Sequence, residues 1–466
     1  MSDTRLSDPV EQPESELDED DRLKHDFVRA VLDAVEADDT DEVRDLVEPL
    51  HPADIADLIE LTPGDQRRAL IAAIGDQIDG EVISELNDWV REELIDSLSP
   101  HQVASFAAEL DTDDAVAIIE DMEEADQRAV LRALDPDDRA AIEEALSYPE
   151  ESAGRLMQRE LIAVPEHWTV GDVLDYLRGS EELQTDFWEI FVVDPGHRPV
   201  GTCHLSWILR TPRVVSIGDV MKREQTLIPV DLDQEEVALR FQKYALISAA
   251  VVDSSGRLVG MITVDDVVHI ISEEAGEDIL RLSGAGEGDI NEPLPSTIRT
   301  RMTWLLINLG TAILAATVIA FFSGTIAKLV ALSALMTIVS GMGGNAATQT
   351  MAVTVRALAT NQLTTSNTWR MILREWWISI ANGIALGFLM ALGCQLYYHD
   401  TALSLILFAA MIINSINAGL SGVLIPIGLD RLRIDPAITS TVFVTTMTDC
   451  MGFFALLGLA TLFNVH

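Results

Sequence analysis

The sequence predicts a multidomain membrane protein: an α-helical solenoid N-domain, a duplicated α/β module, a connecting helix and five transmembrane helices. Three observations predict it. Charge is split sharply near residue 299, a short helical pattern recurs through residues 46–146, and five long apolar stretches follow Arg299. The expected boundaries are a disordered acidic leader (1–25), the helical repeats (26–149), two copies of the α/β module (150–214 and 215–272), a connecting helix and linker (273–298) and the membrane domain (299–466).

The 466 residues carry a net charge of -45. From Arg299 onward there are eight basic and five acidic residues, whereas residues 1–298 hold 23 basic and 71 acidic ones. A surface so acidic repels nucleic acid and suits cations. It also suits a salt-rich cytoplasm, and both readings stand. The three cysteines, Cys203, Cys394 and Cys450, match no disulfide framework, zinc or redox motif. The polar N-terminus, MSDTRLSDPVEQPESELDEDD, reads as a leader rather than a signal peptide, so the soluble half is expected in the cytoplasm.

The helical repeats begin with segments such as LHPADIADLIE (50–60), LTPGDQRRALI (61–71), LSPHQVASFAA (98–108) and LDPDDRAAIEE (134–144). Each is a Leu, a capping residue, usually a Pro, then a short amphipathic helix, with Ser99 and Asp135 as candidate N-caps. Stacked, they form a solenoid suited to interaction or regulation. No nucleophile–base arrangement is present, so no enzyme is expected. Residues 150–275 turn strand-like, and Val-Val-Asp followed by a Gly seven residues on occurs twice, at Asp194/Gly201 and Asp253/Gly260. The next run, HIISEEAGEDILRLSG (269–284), is helical in pattern. Glu273, Glu274, Glu277 and Asp278 crowd it at spacings that repel, unless solvent or cations intervene.

The five apolar stretches run roughly 301–322, 327–354, 375–397, 402–427 and 437–463, each long enough for about 30 Å of hydrocarbon. Arg299, Arg301, Arg356, Arg370, Arg374, Arg431 and Arg433 flank one side and Lys328 the other, which puts the C-terminus outside. Polar residues recur at helical spacing within the spans. The fifth carries Thr441, Thr445, Thr448, Asp449 and Gly452, with Asp435 on nearly the same face at its start. The second, within GMGGNAATQ (341–349), carries Gly341, Asn345, Thr348 and Gln349; the fourth carries Asn414, Asn417 and Ser421. Such faces pack helices together or line water. No basic side chain lies at the depth of Asp449, and a carboxylate there costs about 2.5–3.5 kcal/mol on insertion scales, so it marks an ion site. A lining of few carboxylates and many neutral oxygens, without Cys or His, favours a cation that keeps its water, such as magnesium. Two copies on a two-fold axis would pair the acids.

The duplicated module resembles a tandem pair of CBS domains. In such domains a Thr-x-x-Asp often holds adenine nucleotides; Thr263 and Asp266 fit, whereas the first copy has His204 and Trp207. One nucleotide site, or a purely structural pair, is implied. The order of all these pieces, with SYPEESAGRLM (147–157), EEAGEDILRL, MGMGGNAATQ and the DPA…TTMTD run, resembles the MgtE magnesium channels from about residue 46 to 463. That resemblance implies a multi-pass protein of the cell membrane, a homodimer with its pore on the dimer axis, and magnesium as both cargo and regulator. It implies that Asp449 holds a hydrated magnesium ion, that Thr445 offers its carbonyl, and that Asn345 and Thr441 lie near the pore. It further implies that Glu274, Glu277, Asp278 and Asp435 hold regulatory magnesium, and that the helix 269–284 plugs the mouth. A proton- or sodium-coupled transporter and a non-transporting membrane sensor are the rival readings.

Overall fold

The computed structural model describes residues 16–18, 22–120, 122–179, 187–283, 291–364 and 366–463, without the side chains of 278, 283 and 438–440. Most of the expected leader, the end of the 269–284 helix at Gly284, the first part (285–290) of the loose stretch 285–298 and the Asp278 side chain lie outside those residues. The chain forms two compact units, 1–271 and 272–466.

The first unit opens with ten short helices among the described residues, from α1 (His25–Glu36) to α10 (Pro136–Ala145). Proline at the first turn stops each from growing backwards, at Pro52, Pro100 and Pro136. Acceptors on Asp39, Asp79 and Asn87 take the backbone N–H three residues on, which fixes further starts. Ser99 donates both its N–H and its hydroxyl to Gln102; Asp135 occupies the N-cap position without a side-chain bond. Helices separated by one or two others touch, and their apolar faces share one core that includes Leu58, Leu70, Ile83 and Ile119.

SYPEESAGRLM stitches this array to the strands. Arg155 donates to the carbonyls of Tyr148 and Leu146 and pairs with Glu120 at 2.6 Å. A Cβ on Gly154 would stand 2.5 Å from the Tyr148 ring, so the ring lies where only glycine fits. The backbone N–H groups of Ala153 and Gly154 bond to the Leu232 and Val230 carbonyls.

The duplication is visible in the sheets. In the first copy β1 (Ala163–Pro165) pairs parallel with β2 (Glu189–Val193), which pairs antiparallel with β3 (Pro199–His204). In the second, β4 (Leu227–Pro229), β5 (Ser248–Val252) and β6 (Leu258–Thr263) repeat that order. Both antiparallel pairs shift register at the same place, Val192/Val193 and Val251/Val252. Asp194 and Asp253 each accept two backbone N–H bonds in the hairpin turn, which hold both carboxyls below their ordinary range. Gly201 and Gly260 are the points where Met221 and Met157 cross the strand; a Cβ on either would lie 2.7 Å from the methionine sulfur. Helices α11 (Val170–Gly179), α12 (Leu205–Arg210), α13 (Ile217–Val220) and α14 (Gln234–Tyr244) complete the two copies. Helix α15 (Val264–Ser283) then runs unbroken through the boundary expected at 272/273, so the last helix of the second copy and the connecting helix are one element.

In the second unit the long helices are α16 (Leu294–Phe321), α18 (Ala331–Ala359), α19 (Thr368–Tyr398), α20 (Thr401–Arg431) and α21 (Pro436–Leu462), with a short α17 (Ser323–Lys328) after the first. Among the described residues four are long and apolar enough, by length and composition, to cross a membrane; α18 is not one of them. Its glycines, Asn345, Thr348 and Gln349 dilute the hydropathy of an otherwise apolar 29-residue helix. Among the described residues the apolar spans are thus one fewer than the five the sequence predicts. Helix α20 is central and touches α18, α19 and α21. Small residues let these backbones approach: a Cβ on Gly422 would meet the Ala347 carbonyl at 2.8 Å, and one on Gly383 the Ile412 Cα at 3.0 Å.

Candidate functional site

Helix α21 begins where Asp435 accepts the Ala437 N–H at 2.7 Å, ahead of Pro436. Its threonines then use their hydroxyl protons locally. Thr445 donates to the Thr441 carbonyl at 2.8 Å, Thr446 to Val442 at 2.6 Å and Thr448 to Thr445 at 2.9 Å. Thr441 donates to the carbonyl of Leu282 at 2.8 Å. A hydroxyl whose proton is committed offers only lone pairs, which accept from water. Asp449 lies half-buried beyond this run, and the Ser340 hydroxyl of α18 donates to its Oδ1. The sequence supplied no such neighbour for Asp449; Ser340, four residues before Gly344, is the group it missed.

GMGGNAATQ divides between the two roles open to it. Gly343 packs: the Asn414 amide sits where its Cβ would be, and a Cβ on Gly452 of α21 would stand 2.9 Å from the same amide. Asn414 is buried and donates to the Val339 carbonyl at 2.8 Å. Gly341, Asn345, Thr348 and Gln349 are exposed on the single chain, with Thr348 donating to Gly344. Asn417 donates to the Met447 carbonyl at 3.3 Å.

A second acid in the membrane unit was not anticipated. Glu375 is 6% exposed and accepts from the Thr350 hydroxyl at 3.3 Å. The apolar stretch starts at this residue, so the sequence placed it at a helix end; α19 begins at Thr368, which sets Glu375 two turns inside.

Two of the acids expected at the end of α15 share one basic partner. Arg281 pairs with Glu277 one turn back and, at 3.0 Å, with Asp435. The Arg281 guanidinium lies between these two carboxylates, and its fork serves both partners at once. The Glu277-x-x-x-Arg281 spacing was the available signal. Glu274 is half-buried on the same helix. Beside Arg281, Leu282 packs with Ala347, Met351, Ala437 and Val444.

The first unit gathers acids that the sequence left undistinguished. Glu160 caps the start of α8 (Thr112–Glu120), accepting the Thr112 N–H and hydroxyl at 3.2 and 2.8 Å. Asp111, Asp113 and Asp114 flank that anchor and feel the charge of Asp266 at the start of α15, Asp111 that of Asp265 as well. Burial, then repulsion from Glu160, Asp266 and Asp265, pushes Asp111 up to about 6. Burial, then Asp266, Asp111 and Glu85, does the same to Asp114. Burial and the charges of Asp266, Asp114 and Asp111 raise Asp113 well above the ordinary carboxylate range. Its Oδ1 is sealed from solvent and has no hydrogen-bond partner among the described residues. Among those residues no three acidic, His or Cys side chains are arranged to ligate one metal directly. The arrangement suits cations that keep water between themselves and the protein.

Thr263 and Asp266 belong to this cluster. The Thr263 hydroxyl and N–H both donate to Asp266 Oδ2, at 2.6 and 3.3 Å. Thr169 and Asp172 make the same pair at the start of α11. The Thr-x-x-Asp spacing is thus a helix-capping device in both places. His204 pairs with Glu189 at 3.0 Å and packs edge-on against Trp207.

Three family models match the chain: MgtE, a divalent cation transporter, over 336–459; the MgtE intracellular N domain over 50–151; and the CBS domain over 217–273. The chain is 30% identical over 440 residues to the magnesium transporter MgtE of Thermus thermophilus, covering 93% of this chain and 97% of that one. It belongs to the MgtE family. The Bacillus subtilis magnesium transporter MgtE is 28% identical over 424 residues, 91% of this chain and 94% of the relative. A crystal structure of the cytosolic domain of the Mg2+ channel MgtE in complex with ATP is 30% identical, with a TM-score of 0.47, covering 52% of this chain and 99% of that one. The MgtE transporter match encloses Asn345, Glu375, Thr441, Thr445 and Asp449; the N-domain match encloses Asp111, Asp113 and Asp114. The CBS match encloses Thr263 and Asp266.

Proposed function

We propose that this MgtE-family chain is a magnesium-selective channel that admits Mg2+ across the cell membrane and is closed by cytosolic Mg2+. It acts as a homodimer, with its N-terminal half in the cytoplasm and its C-terminus outside. The observation that carries the reading is Asp449, an acid within a long apolar helix, oriented by Ser340 and preceded by hydroxyls whose protons are spent. Two such carboxylates across a two-fold axis hold a hydrated divalent ion through its waters, with oxygens of Thr445, Thr441 and Asn345 accepting from that shell. The relatives are named magnesium transporters, which supports the choice of ion.

Closure follows from charge. Asp111, Asp113, Asp114 and Asp266 repel one another when ionised, and Mg2+ removes that cost; the partnerless Asp113 oxygen fits such a guest. Glu274, Glu277, Asp278 and Asp435 form the acidic set near the end of α15, with Arg281 already holding two of them. Several weak sites acting together give a steep response, because each shifts the balance only by its differential affinity. A nucleotide such as ATP at Thr263 and Asp266 brings its phosphates near four carboxylates, so its binding depends on Mg2+.

Stepping internal Mg2+ in excised patches tests the proposal: magnesium current should fall steeply as internal Mg2+ rises. A current indifferent to internal Mg2+ overturns the gating. Glu375 favours a second reading, a proton- or sodium-coupled transporter, because a buried acid held by one hydroxyl can load and release a cation. On the channel reading, Glu375→Gln leaves uptake independent of proton and sodium gradients, as in the wild type. Gradient-dependent uptake that this substitution abolishes would establish coupling instead.

A further inference from the structure

A cleft of about 620 Å³ opens where α18 ends and α19 begins, lined by Arg356, Arg370 and Arg374 with Val353, Leu363 and Met371. Its walls are built rather than loose. The Leu363 N–H returns to the Ala357 carbonyl at 2.8 Å. Asn367 accepts the Thr364 N–H and donates to the Gln362 carbonyl, each at 2.8 Å.

Arg356, Arg370 and Arg374 are exposed, and together they concentrate positive charge that attracts an anion. Arg370 and Arg374 are one turn apart on α19, a spacing at which like charges repel. Among the described residues, the ion pairs of this unit are those of Arg281, so none reaches the three arginines. The neighbouring acid, Glu375, is turned away into the bundle toward Thr350. No transported cation is served by such a site.

Position selects the kind of anion. Trp369 and Trp377 of α19 are 67% and 63% exposed beside the cleft, as residues at a membrane–water boundary are. The end of α18 and the start of α19 share the face at which α16 begins, since the helices alternate in direction. Guanidinium forks match phosphate oxygens, and the apolar side chains that line the cleft suit what a phosphate ester carries with it.

We propose that this cleft binds the phosphate headgroup of an anionic phospholipid from the adjoining leaflet. The headgroup neutralises Arg356, Arg370 and Arg374 and tethers the α18–α19 turn to the bilayer surface. The proposal rests on the membrane placement of the helices and is independent of the ion carried.

Full-length protein in phosphatidylcholine bilayers containing phosphatidylglycerol, read by native mass spectrometry, tests it. Wild type should retain phosphatidylglycerol, and each Arg→Gln substitution should weaken retention about five-fold, the triple variant about 100-fold. Monodisperse elution checks folding; if the triple variant fails it, the single variants carry the test. Full retention by the folded Arg→Gln variants overturns the proposal. Millimolar inorganic phosphate should leave the lipid in place; complete displacement would reassign the cleft to a soluble phosphate and overturn the lipid assignment.

Discussion

Asp449→Asn is expected to abolish magnesium entry while leaving the protein folded. Asparagine keeps the shape of the side chain and an oxygen that accepts from Ser340, so the contact between α18 and α21 survives. What disappears is charge. If each carboxylate holds the ion's water shell by about 1.5–3 kcal/mol, losing both copies of a dimer lowers flux about 100-fold or more. Magnesium uptake into proteoliposomes, with monodispersity and helical content as controls, reads the result. Wild-type flux in a folded Asp449→Asn protein would remove this acid from the ion path and, with it, the reason for reading α21 as pore-lining.

The second large effect concerns the acids around Asp113. Asp111 and Asp114 are pushed up to about 6, and Asp113 is raised further, mainly by burial. A carboxyl raised in the folded state favours folding while protonated and opposes it once ionised. Its contribution is therefore complete below about pH 4, the ordinary aspartate value, and is lost as pH climbs through about 6. For one such group the loss amounts to about 1–3 kcal/mol after allowance for solvent screening. With magnesium chelated, the soluble unit of the full-length protein should melt lower at pH 7 than at pH 5. Magnesium should restore the midpoint at pH 7 and add little at pH 5, where protons already do its work. Asp113→Asn with Asp114→Asn should flatten the pH dependence, shrink the magnesium effect and raise the internal magnesium needed for closure. An unchanged magnesium response in that double variant would separate the cluster from gating.

The order of domains was legible in the sequence because each has a strong local signature. Proline after a capping residue repeats at Pro52, Pro100 and Pro136, and Asp194/Gly201 with Asp253/Gly260 marks a duplication that the shared register shift repeats in three dimensions. The acid on α21 was legible too, since an ionised group in an apolar run has few bland explanations. Pairings across helices were not. Ser340 reaches Asp449 from 109 residues away, and Arg281 reaches Asp435 from 154. Periodicity shows which face a residue shares within one helix, not which residue it meets on another. Glu375 was hidden for a different reason: the apolar stretch begins at it, while the helix begins at Thr368. The acids around Asp113 were submerged in composition, because among 71 acidic residues before Arg299 only burial distinguishes the few that matter.

The glycine contacts of the membrane unit constrain how it can move. Gly422 against the Ala347 carbonyl and Gly343 against Asn414 leave little slack for α18 and α20 to slide past one another. By contrast, the apolar window of α16 is only 6% buried within the chain, against 56% for α20. Most of the apolar surface of α16 therefore faces away from its own chain and is left for lipid or a second protein surface to cover, while α20 is enclosed by its neighbours.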